Sequence, residues 1–277
     1  MEVRAEDGDT SHVDGMRYVS IDVQGDNADS RQWLATASLT AGDYVWFHAG
    51  FGQSRTLLET DTVEMTLASG GIGIRGEHLQ FKMDFTSRKD GDAYEQRDWN
   101  GSFGWRNDTF GIGVDGMTRS TATETIQIVT RPILGPLPVL VKQSIDGHGF
   151  GLHADVNVTD ELNLFAGGMS YSYDDVASNR PALVRLLNFS GSGITREQAI
   201  LDRSAYVGFS YGFELLDLTA QYLNDKTLAS GDITNTVLVS AAIIMGEHWM
   251  LAPAVGRSSN DELGDVAFGA VSISYGW

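Results

Sequence analysis

Cysteine is absent from the 277 residues, which excludes a disulfide framework and thiolate metal sites and accords with an oxidising compartment where stray thiols are a hazard. Basic residues are scarce. The 19 Lys and Arg stand against 37 Asp and Glu, a formal charge of −18, so a phosphate-binding surface for nucleic acid is excluded. Long apolar runs are missing as well. The longest uncharged and largely apolar stretch, residues 233–246, is broken by Thr234, Asn235 and Ser240 and falls short of the ~20 apolar residues of a membrane helix. The N-terminus has no basic region followed by an apolar one. Residues 1–15 are therefore expected to form a flexible segment ahead of a single domain over 16–277, in a chain whose secretory signal has been removed.

What is present is alternation. Residues 16–24 place Val19, Ile21 and Val23 on one phase and Tyr18, Ser20, Asp22 and Gln24 on the other, the period of a strand with one apolar face. Leu79, Phe81, Met83 and Phe85 alternate in the same way with Gln80, Lys82, Asp84 and Thr86, and Val207, Phe209, Tyr211 and Phe213 with Tyr206, Gly208, Ser210 and Gly212. The rhythm repeats fourteen times, the last over 264–277, and only residues 162–173 have an ambiguous phase. Connections after even-numbered strands are tight turns such as Asn107-Asp108 and Gly246-Glu-His248, whereas those between are longer and polar. Large aromatics of the apolar phase gather near strand ends: Trp33, Phe51, Phe85, Trp99 and Tyr222 at the long-loop side, with Trp105, Phe110, Phe213, Trp249, Tyr275 and Trp277 at the other. Alternation, an even strand number, segregated loop lengths and two aromatic girdles predict an all-β fold, a transmembrane antiparallel up-and-down β-barrel of fourteen strands.

The final segment, with Val271, Ile273, Tyr275 and Trp277 on alternate positions, resembles the C-terminal signature of bacterial outer-membrane β-barrels. In strand number and length the chain is similar to the monomeric fourteen-stranded porins. The resemblance implies a place in the Gram-negative outer membrane, the barrel-assembly machinery as a partner during biogenesis, and outer-membrane lipid and lipopolysaccharide as surroundings. It identifies an architecture and no particular solute.

The search for chemistry yields little. His148 and His153 lie near Asp146 and Asp155, but no nucleophile elbow accompanies them, since the one G-x-S-x-G string, at 208–212, falls inside an alternating strand instead of on a strand-to-helix turn, so no catalytic residue is assigned and His153 is expected to be one polar residue of the inner wall. His78 and His248 belong to turns. Acidic loops lack the spacing of a calcium loop, and no metal or cofactor is expected. The inward phase supplies the pore-lining candidates Asp22, Lys82, Asp84, Asp98, Arg106, Asp115, His153, Asp155, Asp202 and Asp217. Acidic residues outnumber basic ones there, which predicts a mild cation preference.

Two long connections, 120–144 and 174–201, decide whether the bore is open or plugged, and the sequence leaves both outcomes open. The first carries Pro132, Pro136 and Pro138, which are expected to forbid a continuing ladder and to leave the apolar stretch 133–141 buried against the wall, the rim, lipid or a partner. The second has helical spacing over 181–188 with proline at its start. A fourteen-stranded barrel is wider than the roughly eight-stranded case that its own side chains fill. The chain is therefore expected to be a channel for passive diffusion of small polar solutes or ions. The alternative is a non-conducting or hydrophobic-solute barrel whose outer loops bind a partner protein or surface.

Overall fold

In the computed structural model, which describes residues 17–42, 44–58, 61–91, 94–131, 135–174, 199–228, 231–260 and 264–277, the alternating segments form one continuous ladder. The strands are β1 (Tyr18–Asp26), β2 (Arg31–Ala41), β3 (Val45–Leu58), β4 (Asp61–Arg75), β5 (Leu79–Asp90), β6 (Tyr94–Arg106) and β7 (Phe110–Arg131), followed by β8 (Gly135–Asn157), β9 (Leu162–Tyr173), β10 (Leu201–Gly212), β11 (Leu216–Thr227), β12 (Ile233–Met245), β13 (Trp249–Asn260) and β14 (Gly264–Gly276). Each pairs antiparallel with its sequence neighbour, and β1 pairs with β14 from Tyr18↔Gly276 to Asp26↔Phe268, closing the barrel. Closure leaves no edge within the membrane, where an unpaired backbone N–H or C=O costs several kcal/mol.

The burial pattern is that of a soluble protein turned inside out. Val19, Ile21, Phe47, Phe81, Phe150, Val207 and Val239 are exposed on the outer surface, while Ser20, Thr36, Thr219, Ser240 and Ser272 are buried on the inner one. The aromatic girdles are cross-strand contacts: Phe85 lies 4.7 Å from Trp99 at the long-loop side, and Trp105 5.2 Å from Phe110 and Trp249 4.9 Å from Tyr275 at the short-turn side. Local chemistry sets the tight turns. Asn107 accepts bonds from the N–H groups of Thr109 and Phe110 at 2.8 Å, and Gly246 adopts φ 77°, a left-handed conformation that glycine reaches without a Cβ clash.

The register resolves the ambiguous ninth strand. Ala166 pairs with Val207 on one side and Ala154 on the other, so Leu162, Leu164 and Ala166 face outward and Asn163, Phe165, Met169 and Tyr171 inward. A larger difference lies in the first long connection. The β7–β8 ladder runs through 120–144 up to Arg131↔Gly135, with Thr130 opposite Pro136 and Ile128 opposite Pro138. Both prolines share one parity, so both nitrogens fit on the side of β8 facing away from β7. Among the described residues that side has no ladder past Gly147↔Tyr173, where β9 ends, and prolines are tolerated on such an edge. What the side chains of 133–141 meet, and the helix expected over 181–188, lie outside the described residues.

The phase makes a direct prediction at mid-strand. Val239→Arg, pointing into hydrocarbon, lowers folding stability in lipid by about 2–4 kcal/mol, whereas Ser210→Arg, on the inward row, leaves it within about 1 kcal/mol because the charge meets polar surroundings. Denaturant titration of barrels refolded into vesicles measures both; equal losses would show the phase to be misassigned.

Candidate functional site: the charged inner wall

Charges on the inner wall are concentrated on β3 to β8 and are joined across strands. On β5, Lys82 and Asp84 lie 3.4 Å apart, and His48 on β3 approaches Asp84 at 3.1 Å. Arg106 on β6 donates to Asp155 on β8 at 2.8 Å, and Asn163 on β9 reaches the same carboxylate at 3.3 Å. His153 stands 2.8 Å from Asp115 through Nδ1. An imidazole can lie here because β7 offers no side chain beneath it: a Cβ on Gly113 would fall 2.3 Å from the ring. Trp46 is seated likewise, with a Cβ on Gly73 reaching to 1.9 Å of the indole. Inward glycines thus let large side chains lie flat along the wall instead of crossing the bore.

The most buried assembly centres on Asp98. Its carboxylate accepts from Arg88 at 3.0 Å, from Gln96 at 2.7 Å and from Arg119 Nε at 2.7 Å, and Tyr94 donates to Gln96. Arg88, Asp98 and Arg119 have side chains only 5%, 5% and 10% exposed. Charges withdrawn from water to this degree persist because each has an opposite partner. Arg119 also donates through Nη1 to the carbonyl of Ala199 at 2.7 Å, so the network grips the end of the second long connection.

That end is drawn inside. Ala199, Ile200 and Leu201 are buried, and Ile200 joins one apolar cluster with Met65 and Leu67 of β4, Tyr94 of β6 and Ile145 of β8. The cluster thus joins the residue just ahead of β10 to the inner faces of β4, β6 and β8. Leu228 secures the other side, its N–H donating to the Ile200 carbonyl at 2.9 Å. The bore is therefore narrowed on the long-loop side of the charged wall.

Of the sequence candidates, Asp22, Lys82, Asp84, Asp98, Arg106, Asp115, His153, Asp155 and Asp217 occupy the inward rows, and Asp22 accepts from Ser20 at 3.3 Å. Asp202 departs from this pattern. A register shift between Leu201 and Arg203 makes it a bulge residue, and it bonds Lys226 at 3.0 Å, a residue in phase with the outward Tyr222. Its carboxylate thus belongs to the outer rim. Sequence reasoning missed Arg88, which continues the inward phase of Lys82 and Asp84, and Asp225, because β11 runs beyond Tyr222. The apolar seat on Met65, Leu67 and Ile145 carries no local signal, since its members meet only through closure.

No protein-family model matches the chain, and no curated protein sequence matches it. Solved structures match along nearly its whole length. A structure described as a bacterial polysaccharide outer membrane secretin aligns with 95% of this chain and 99% of its own, at 10% identity and a TM-score of 0.50. KdgM porin in complex with disordered oligogalacturonate aligns over 94% and 99% at 12% identity and TM-score 0.44, and Pseudomonas aeruginosa OccK8 (OprE) over 95% and 98% at 10% and 0.45. Identities this low concern the fold alone, and in fold the chain is similar to outer-membrane barrels.

Proposed function

We propose that the protein is an outer-membrane channel for passive diffusion of small polar solutes or ions, mildly preferring cations, with Asp22, Lys82, Asp84, Asp98, Arg106, Asp115, His153, Asp155 and Asp217 along its water path. The observation that carries this reading is the inner wall of paired charges running from β3 to β8 behind an apolar exterior. Such a wall needs water or a polar solute against it, since charged groups facing an empty apolar interior would be costly. Cation preference follows from the distribution. Lys82, Arg88, Arg106 and Arg119 are tied to carboxylates and Arg75 lies over the Trp46 ring, while β1 and β11 add Asp22, Asp217 and Asp225 without an inward Lys or Arg. A surface of one sign inside low-dielectric walls concentrates counter-ions, and salt screens the effect over ~10 Å at 0.1 M.

The apolar cluster at Ile200 favours a second reading, a barrel closed at the outer side whose exposed loops bind a partner. Barrel-assembly machinery and lipopolysaccharide remain the expected contacts in biogenesis and in the membrane. Neither reading assigns an enzymatic role.

Two measurements follow. The reversal potential across a KCl gradient should show a cation preference at neutral pH, and a clear anion preference would refute the charge assignment. Arg119→Met releases the Ala199 carbonyl while leaving Arg88 on Asp98, so single-channel conductance should rise or become noisier; an unaltered trace would place the Ala199–Leu201 segment off the conduction path.

A further inference from the structure

On the outward rows, basic residues collect at the long-loop rim, and three of them are matched. Arg97 donates to Glu95 at 2.8 Å, Lys226 to Asp202 at 3.0 Å and Arg257 to Asp265. Lys89 and Arg203 on these rows form no ion pair among the described residues, nor do Arg31 and Arg55, so what sets Arg31 and Arg55 apart is their position. They are direct cross-strand partners of β2 and β3, both exposed. Glu64 is the β4 residue opposite Arg55, yet no ion pair joins them. Directly opposed like charges are destabilising, and two guanidinium forks side by side suit an anion with several oxygens, phosphate above all.

Beneath the pair the surface changes to apolar. Trp33 follows Arg31 on the same row and meets Phe51 edge-on at 6.0 Å. Below them, small side chains at Ala35, Ala37 and Ala49 floor a trough of about 620 Å³, walled by Phe51, Val19 and Ile21. A water-soluble anion would have no use for this trough. Charge above and apolar relief below, on the face turned to lipid, match an amphiphile with a phosphorylated head.

We infer that Arg31 and Arg55 clasp the phosphate of an anionic lipid in the leaflet at the long-loop side, and that its acyl chain lies over Ala35, Ala37 and Ala49. The lipid relieves the opposition of the two cations, while the arginines keep their stems along the apolar wall and their heads at the interface. The inference rests on the membrane placement of the barrel and is independent of conduction, which a bilayer current would test separately.

Native mass spectrometry of the folded barrel in non-ionic detergent, titrated with diphosphorylated lipid A, tests it. The protein should retain one lipid. R31Q/R55Q should weaken binding about tenfold or more, Ala37→Phe should weaken it by filling the trough with the arginines intact, and Arg257→Gln should bind as the parent does. Inorganic phosphate should compete poorly. The inference is overturned if R31Q/R55Q or Ala37→Phe binds like the parent, if Arg257→Gln loses as much as R31Q/R55Q, or if the same lipid stripped of its phosphates binds equally well. Gel migration before and after heating confirms that each variant is folded.

Discussion

Everything in this molecule depends on the pairing of β1 with β14. Hydrocarbon offers no partner to a backbone N–H or C=O, so a sheet can cross it only if the last strand finds the first. Nine residue pairs from Tyr18↔Gly276 to Asp26↔Phe268 accomplish this. Once the ladder is closed, each residue has one of two destinations, lipid or lumen, and the period of two decides which. Val19 and Tyr275 fall outside, Ser20 and Ser274 inside, for no reason other than parity.

Closure also creates the interior chemistry. Arg88, Asp98 and Arg119 stand on three consecutive strands, and Ala199 is 80 residues from Arg119 in sequence; only a curved wall brings that carbonyl to the guanidinium. The same curvature places Ile200 in one apolar cluster with Met65 and Leu67, from a distant part of the ladder. The result is a two-part lumen, a charged wall and an apolar bridge at its outer side. The bridge is anchored by hydrogen bonds from Arg119 and Leu228. We read the two parts as a water path and its restriction.

The architecture was legible in sequence because parity and turn chemistry are local. The strand number, the outward rows and the aromatic girdles follow from residues two apart. Three features were not legible, each for a physical reason. The β7–β8 extension was hidden by Pro136 and Pro138, which look like ladder breakers until their common parity and the end of β9 at Tyr173 are known. Asp202 was misplaced because a single bulge reverses parity, and bulges leave no compositional trace. The ion-pair network and the apolar bridge depend on cross-strand register, which a one-dimensional pattern does not specify. Arg88 is the instructive case: its inward phase is readable from Lys82 and Asp84, but Asp98 and Arg119, which complete its network, lie on other strands.

The central claim is that alternate residues face water inside and lipid outside. Because the chain has no native cysteine, single substitutions report this directly. With the barrel in sealed vesicles, cysteines at Lys82, Ser210 and Asp217 should react with a small, membrane-impermeant thiol reagent, while cysteines at Phe81, Phe209 and Val239 should react only with a lipid-soluble one. Equal reactivity at neighbouring positions, or silence at all the inward ones, would contradict the account.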